Sequence, residues 1–323
     1  MKSFNSKGLL KNKHIQTLYS SFFRKYSNLQ MEIETFTLSD GDFLDCYWYN
    51  KPDSKDSTPI VVLFHGLEGS YKSPYIQGVM KEAYKEGFSS VIMHFRGCSH
   101  RENNLVRAYH SGATEDAHEW LKLIHFNHPF SKVFCAGYSM GGNMLLKLLA
   151  EQKNNSYITA SVATSVPYIL NISSKTMEKG FAKFYQNHLL KSLKENLHKK
   201  FVKHDMSLHI KLKKEEIPNI KTFWDLDDAY TAPVHGFKSA QDYYDKCSSR
   251  QFLKDIEVPT LLIQAIDDPF MTSEVIPTAN ELSKSTQLEL SKNGGHVGFI
   301  SGSLFKPEYW LEKRIVEYFK EFL

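Results

Sequence analysis

The feature that most constrains this chain is an apolar run, Val133-Phe134-Cys135-Ala136, that stops at Gly137, presents Ser139, and passes through Gly141 and Gly142 into a helical pattern. A strand turning this sharply into a helix holds the intervening serine in a strained backbone conformation, its hydroxyl raised above the sheet edge. Side chains two positions before or after would collide in such a turn, which accounts for glycine at 137 and 141. The helix expected from Met140 to about Gln152 aims its first free N–H groups at whatever Ser139 attacks. Strand before and helix after make the stretch a nucleophile elbow rather than an ordinary glycine-rich turn.

The rest of the chain supplies a sheet for that elbow to sit on. Met31 to Leu38 and Phe43 to Tyr49 alternate around the turn Ser39-Asp40-Gly41-Asp42, as an antiparallel hairpin would. Pro59 to Phe64 is a continuous β-branched run, the pattern of a strand buried on both faces of a parallel sheet. It ends in His65-Gly66-Leu67-Glu68-Gly69-Ser70. A helix over about 75–85, a strand over 89–95, a helix from Thr114-Glu115-Asp116 to about Phe126, and a strand from Tyr157 to Ser165 follow. Arg96 is expected to brace loops by hydrogen bonds, and Asp116 to anchor a helix start or a loop. Such alternation implies an α/β class with a parallel sheet.

From Pro167 to about Phe252 the rhythm changes to lysine- and aromatic-rich helical patterns, at 175–201 and near 215–228, without buried-strand runs. A helical cap inserted over the sheet edge fits, so residues 31–166 and 253–323 are expected to form the core, with 1–30 a leader packed on it. Phe181, Phe184, Tyr185, Phe223, Trp224, Tyr230 and Phe237 are candidates for an apolar acyl pocket or for the cap's own core. Strands are expected again at 258–265 and 286–290, and a last helix from Pro307 to about Phe322.

Composition narrows the function classes. The net charge of +4 and a pI near 8.6 are too weak and dispersed to indicate nucleic acid. Cys46, Cys98, Cys135 and Cys247 lie far apart without metal-ligand spacing, so neither a zinc site nor a disulfide framework is expected, and reduced thiols suggest a cytoplasmic setting. The first twelve residues lack an apolar stretch, and no run of about 18 apolar residues follows, which argues against a signal peptide and a membrane span. The lysine-rich insertion allows at most weak peripheral contact with a membrane surface.

A serine hydroxyl is a weak nucleophile at neutral pH. It needs a base to take its proton, and the base needs a carboxylate to fix its tautomer. Among fourteen histidines, His296 is the one downstream of a late strand-end aspartate, within the small-residue loop Gly294-Gly295-His296-Val297-Gly298. Of Asp267 and Asp268, the second lies directly before Pro269 and is favoured as the acid, leaving Asp267 to brace the loop. The backbone N–H groups of Leu67 and Met140 are the expected oxyanion donors. No metal or other cofactor is required.

With these residues in place, the chain resembles the YheT-like branch of the α/β-hydrolase superfamily, which includes eukaryotic ABHD-type lipid hydrolases. The resemblance rests on Asn12-Lys13-His14-Ile15-Gln16-Thr17-Leu18, the His65 to Ser70 run, Phe95-Arg96-Gly97-Cys98-Ser99, Tyr109-His110-Ser111-Gly112, the Ser139 elbow, Asp267-Asp268-Pro269-Phe270 and the His296 loop. It implies an α/β-hydrolase fold with a mostly parallel eight-stranded sheet and a helical cap. It also implies a serine carboxylesterase or monoacylglycerol-lipase-like activity on acyl or small lipid esters, with the triad at Ser139, Asp268 and His296. Some relatives carry an H-x4-D acyltransferase motif, but no histidine here is followed five positions later by aspartate. Thioester and peptide substrates remain alternatives, because the difference lies in cap shape and leaving-group contacts. A non-catalytic ligand-binding homologue is the alternative from another class, and it is disfavoured by the presence of all three residues.

Overall fold

The computed structural model describes residues 3–24 and 29–323, so the expected leader falls partly outside the described residues. Eight strands form one sheet: β1 (Glu32–Thr37), β2 (Phe43–Tyr49), β3 (Ile60–Phe64), β4 (Ser89–Met93), β5 (Val133–Tyr138), β6 (Ala160–Thr164), β7 (Thr260–Ala265) and β8 (Thr286–Ser291). Their order is β1-β2-β4-β3-β5-β6-β7-β8. β1 and β2 form the hairpin, with Glu32 opposite Trp48 and Thr37 opposite Phe43, and β2 joins β4 antiparallel. Every other pairing is parallel.

Strands β3 to β7 are buried at every position, as their unbroken apolar runs require once helices cover both faces. Strand alternation divides the core in two. Val62, Phe64 and Cys135 pack with α3 (Glu115–Asn127) and α4 (Met140–Gln152), whereas Val61, Leu63 and Phe134 pack with α2 (Pro74–Lys85) and α10 (Trp310–Lys320). Burying each of these large side chains contributes about 1.5–3 kcal/mol, which fixes the strand register and so the height at which each strand end delivers its loop.

Between β6 and β7 there is no strand. The helix expected over 175–201 is two, α5 (Leu170–Met177) and α6 (Ala182–Lys203), because Gly180 turns left-handed at φ +51°. The pattern near 215–228 breaks into a short 3-10 turn, Lys214–Asn219, holding Pro218, then α7 (Phe223–Leu226) and one π turn, Asp227–Thr231. Proline has no N–H to continue an α-helix at 218. α8 (Ala232–Val234) and α9 (Ala240–Cys247) complete the segment.

Within the expected leader, residues 7–23 form a 3-10 turn, Gly8–Lys11, and α1 (Lys13–Phe23), separated where the Asn12 side chain caps the His14 and Ile15 amides. The last helix begins at Trp310 rather than Pro307. Pro307–Tyr309 forms β10, antiparallel to β9 (Ile300–Gly302), and this pairing holds the chain extended before the helix starts.

Candidate active site

Ser139 stands between β5 and α4 at φ +52°, ψ −119°, a conformation costly for any residue with a side chain. Its amide donates to Thr164 O at 2.9 Å, which ties the turn to β6. The flanking glycines are needed for close approach. A Cβ at Gly137 would come within 2.7 Å of Gly141 O, and one at Gly141 within 2.4 Å of His65 O.

His296 Nε2 lies 3.0 Å from Ser139 Oγ, and His296 Nδ1 lies 2.8 Å from Asp268 Oδ2. The three side chains named from the sequence thus form one hydrogen-bonded line. Asp268 is 3 % exposed, and its other oxygen accepts from the Phe270 amide at 2.9 Å. With Nδ1–H directed at the carboxylate, the neutral imidazole presents the lone pair of Nε2 to the serine. Asp267 points elsewhere: it accepts from the Gly295 amide at 3.0 Å and from Asn293 at 3.4 Å, bracing the loop that carries His296. Burial pushes the Asp267 carboxyl above the ordinary range.

Several partners of the histidine carried no signal that assigned them a role. The imidazole lies flat on Phe270, with ring centroids 3.9 Å apart and planes 11° apart. The His296 amide donates to Thr17 Oγ1 at 2.9 Å, and the Val297 amide to Ser165 Oγ at 3.0 Å. Buried Gln16 donates to Ile300 O and accepts from the Ile300 amide. Thus α1 holds the base loop, although its residues were read only as a packing segment. A Cβ at Gly295 would come within 2.5 Å of Lys13 O, so glycine lets α1 approach.

Leu67 and Met140 line the same cavity as Ser139 and His296, and neither backbone amide has a hydrogen-bond partner among the described residues. The loop bearing Leu67 is fastened from behind by His65. Its Nδ1 lies 2.7 Å from Gly66 O, and its Nε2 accepts from the Phe95 amide at 3.2 Å. Burial lowers its pKa to about 3, so the ring is neutral and keeps one donor and one acceptor. On the next residue, Glu68 at φ +55°, the carboxylate accepts from Tyr109 at 2.7 Å and from Ser192 and Asn196 of α6 at 2.5 and 3.0 Å.

Arg96 braces loops, as expected. It grips Asp116 through two 2.6 Å bonds and reaches Asp40 at 2.7 Å and Asp42 at 3.1 Å. Of the seven aromatics singled out between β6 and β7, Phe223 and Tyr230 line the cavity, while Tyr185 packs against Phe270. Trp224 and Phe237 join a small core with Tyr243 and Tyr244, and Phe181 and Phe184 face outward, 51 % and 53 % exposed. The four cysteines are free thiols. Among the described residues no cluster suits a metal ion, and no helix is long and apolar enough to cross a membrane.

Comparison with known proteins agrees with this architecture. The family described as alpha/beta hydrolase fold matches residues 59–303. The chain is similar to the candidate esterase YheT of Escherichia coli (strain K12), with 41% identity, covering 97% of this chain and 91% of that protein. Phospholipase ABHD3 of Bos taurus is 26% identical over 95% of this chain and 75% of its own length. The solved structure of the Pyrococcus furiosus esterase Pf2001 superposes with a TM-score of 0.58 at 17% identity, covering 100% of this chain and 98% of that one, a likeness of fold. The order of strands, the serine at the β5–α4 turn and the identity to YheT lead to one conclusion: the chain belongs to the α/β-hydrolase family, in its YheT-like branch.

Proposed function

We propose that the chain hydrolyses carboxylic esters of acyl or small lipid groups, with Ser139 as nucleophile, His296 as base and Asp268 as the acid that orients it. The observation carrying this reading is the unbroken line from Asp268 through His296 to Ser139, with both contacts within hydrogen-bond reach at a strained strand–helix turn. Names borne by relatives agree: besides YheT and the bovine phospholipase, a Saccharomyces cerevisiae protein 25% identical over 90% of this chain and 75% of its own length is a monoacylglycerol lipase.

In this mechanism Ser139 Oγ attacks the ester carbonyl while its proton passes to His296 Nε2. The tetrahedral oxyanion is held by the Leu67 and Met140 amides, worth about 3–4 kcal/mol per donor in such sites. Collapse breaks the bond to the alcohol oxygen, which takes the proton from His296 and leaves. Water then enters, gives a proton to His296 and attacks the acyl-enzyme, releasing the acid and restoring Ser139. In the same reading, residues 167–252 cap the cavity and choose which acyl groups enter.

The test is fluorophosphonate labelling with an acyl-chain-length series of p-nitrophenyl esters, run on wild type and Ser139→Ala. Labelling that survives in Ser139→Ala refutes the assignment. A parallel panel of thioesters and peptide amides sets the leaving-group class, and faster turnover of thioesters would replace the ester reading.

A further inference from the structure

The cavity above Ser139 contains a carboxylate that the acyl-transfer steps do not use. Asp227 opens the π turn Asp227–Thr231, a local widening of the helical path that recurs at functional positions. Packed atoms surround its carboxylate, while the residue keeps some accessible surface and lines the cavity. Tyr244 donates to its Oδ2 at 2.6 Å, and Thr231 supplies a second hydroxyl. No lysine, arginine or histidine pairs with it among the described residues, and burial pushes its carboxyl up to about 6.

These facts separate two needs. The protein already meets much of the carboxylate's demand for donors, through two hydroxyls. Its charge is unmet, and a buried carboxylate without a countercharge is costly. A neutral hydroxyl from a ligand would add a donor the site does not lack, whereas a cation would supply the missing charge. The surroundings favour the cation as well. Phe223, Tyr230, Tyr243 and Tyr244 line the cavity beside Asp227, and aromatic faces attract ammonium groups. Ser173 and Ser174 also line the cavity, the Ser173 hydroxyl itself being buried and without a partner among the described residues.

Of the lysines and the arginine lining the cavity, Lys199 is exposed and among the described residues reaches only Asn196 Oδ1 at 3.5 Å, and the other two are held away from Asp227. Arg96 is saturated by three carboxylates, and the Lys200 ammonium donates to Asn103 Oδ1 and Leu105 O. Glu68, also on the wall, is held by neutral donors alone. We propose that Asp227, set among Phe223, Tyr230 and Tyr244, forms a subsite for an ammonium group carried by the ester substrate. The subsite rests on the ester reading of Ser139 only for its role in turnover; its binding of a cation does not depend on catalysis.

The test therefore uses binding. In the full chain carrying Ser139→Ala, titration calorimetry compares decyltrimethylammonium, decanol and decyl sulfate, each below its micellar concentration. The expected result is a Kd for the ammonium at least about tenfold below that of the alcohol, with the sulfate weakest. Adding Asp227→Asn brings the ammonium to within about twofold of the alcohol. Three results overturn the proposal: no advantage of the cation, an advantage that survives Asp227→Asn, or tightest binding by the sulfate, which would assign the polar corner to Lys200. The comparison among the three ligands needs no change at Asp227, so it decides the matter even where that variant fails to fold. Ester turnover by wild type is measured separately, and its absence would refute the esterase reading while leaving the binding result intact.

Discussion

The Ser139 corner and the wall between β6 and β7 enclose one cavity but are built differently. At the corner, the serine, the aspartate and the histidine each follow the end of a buried or edge strand of a single sheet, and each is held by bonds of 2.8–3.0 Å or a flat ring contact. The wall is the long helix α6 together with short helices, a 3-10 turn and a π turn, and its polar groups include both a bonded carboxylate and a buried serine hydroxyl without a partner among the described residues. Under the proposed mechanism, this difference assigns reaction chemistry and substrate choice to separate parts of the molecule. The corner is expected to tolerate almost no change, and the wall to tolerate replacement with altered selectivity.

Changes at the corner carry the largest expected effects. Ser139→Ala is expected to lower kcat on p-nitrophenyl butyrate by a factor on the order of 10⁶, read against the buffer-corrected rate. Asp268→Asn, which leaves the packing but spoils the tautomer of His296, is expected to lower kcat by about 10⁴. Asp267→Asn is expected to cost less than about tenfold, because its bonds run to the loop rather than to the imidazole ring. Equal losses in the two aspartate variants would erase the distinction between acid and brace.

Below the corner, the brace at Arg96 separates stability from chemistry. Arg96→Met leaves Asp40, Asp42 and Asp116 without their shared cation, and urea unfolding is expected to register a loss of about 3–5 kcal/mol. Acid acts on the same scaffold. Burial holds His65 at about 3 and His94 and His235 at about 4, so between pH 6.5 and about 4 the unfolded chain binds more protons than the folded one. Stability therefore falls as pH drops below 6.5, by about 1.4 kcal/mol per pH unit for each such histidine. Asp227, raised to about 6, works the other way: its contribution is complete below pH 3.8 and lost as pH rises through 6, which offsets about one histidine in that window. Urea midpoints measured from pH 7 to 4.5 check the slope, and a flat profile would contradict it.

The wall is expected to give the smallest effect. Phe223→Ala enlarges the cavity and should move the preferred p-nitrophenyl ester toward longer chains, changing ratios of kcat/KM severalfold while kcat on the best ester stays within about threefold. A drop in kcat matching that of Asp268→Asn would mean that the wall also shapes the chemistry.

What could be read from the chain follows the same division. Gly137 and Gly141 around Ser139 are local necessities of a tight turn, and the buried runs at 60–64 and 133–138 announce parallel strands, so the elbow and its sheet were legible. The choice of Asp268 over Asp267 came from its place before Pro269 and agrees with the bond to His296. The role of Thr17 was not legible, because nothing in a serine-and-threonine-bearing amphipathic segment says that it meets a loop 279 positions later. Nor was the start of the last helix, since the pairing of Pro307–Tyr309 with Ile300–Gly302 is a tertiary event that overrides local pattern. The break at Gly180 needed only one residue to turn left-handed, which a helical period in 175–201 conceals.

The tie between α1 and the His296 loop bears on how the protein is made. Thr17 leaves a ribosome long before His296, and the loop also leans on Gln16 through Ile300. A growing chain that has already folded the strands around Ser139 contains α1 but still lacks the histidine that α1 supports. In the proposed mechanism the growing chain thus carries a serine with no proton acceptor until residue 296 has been added.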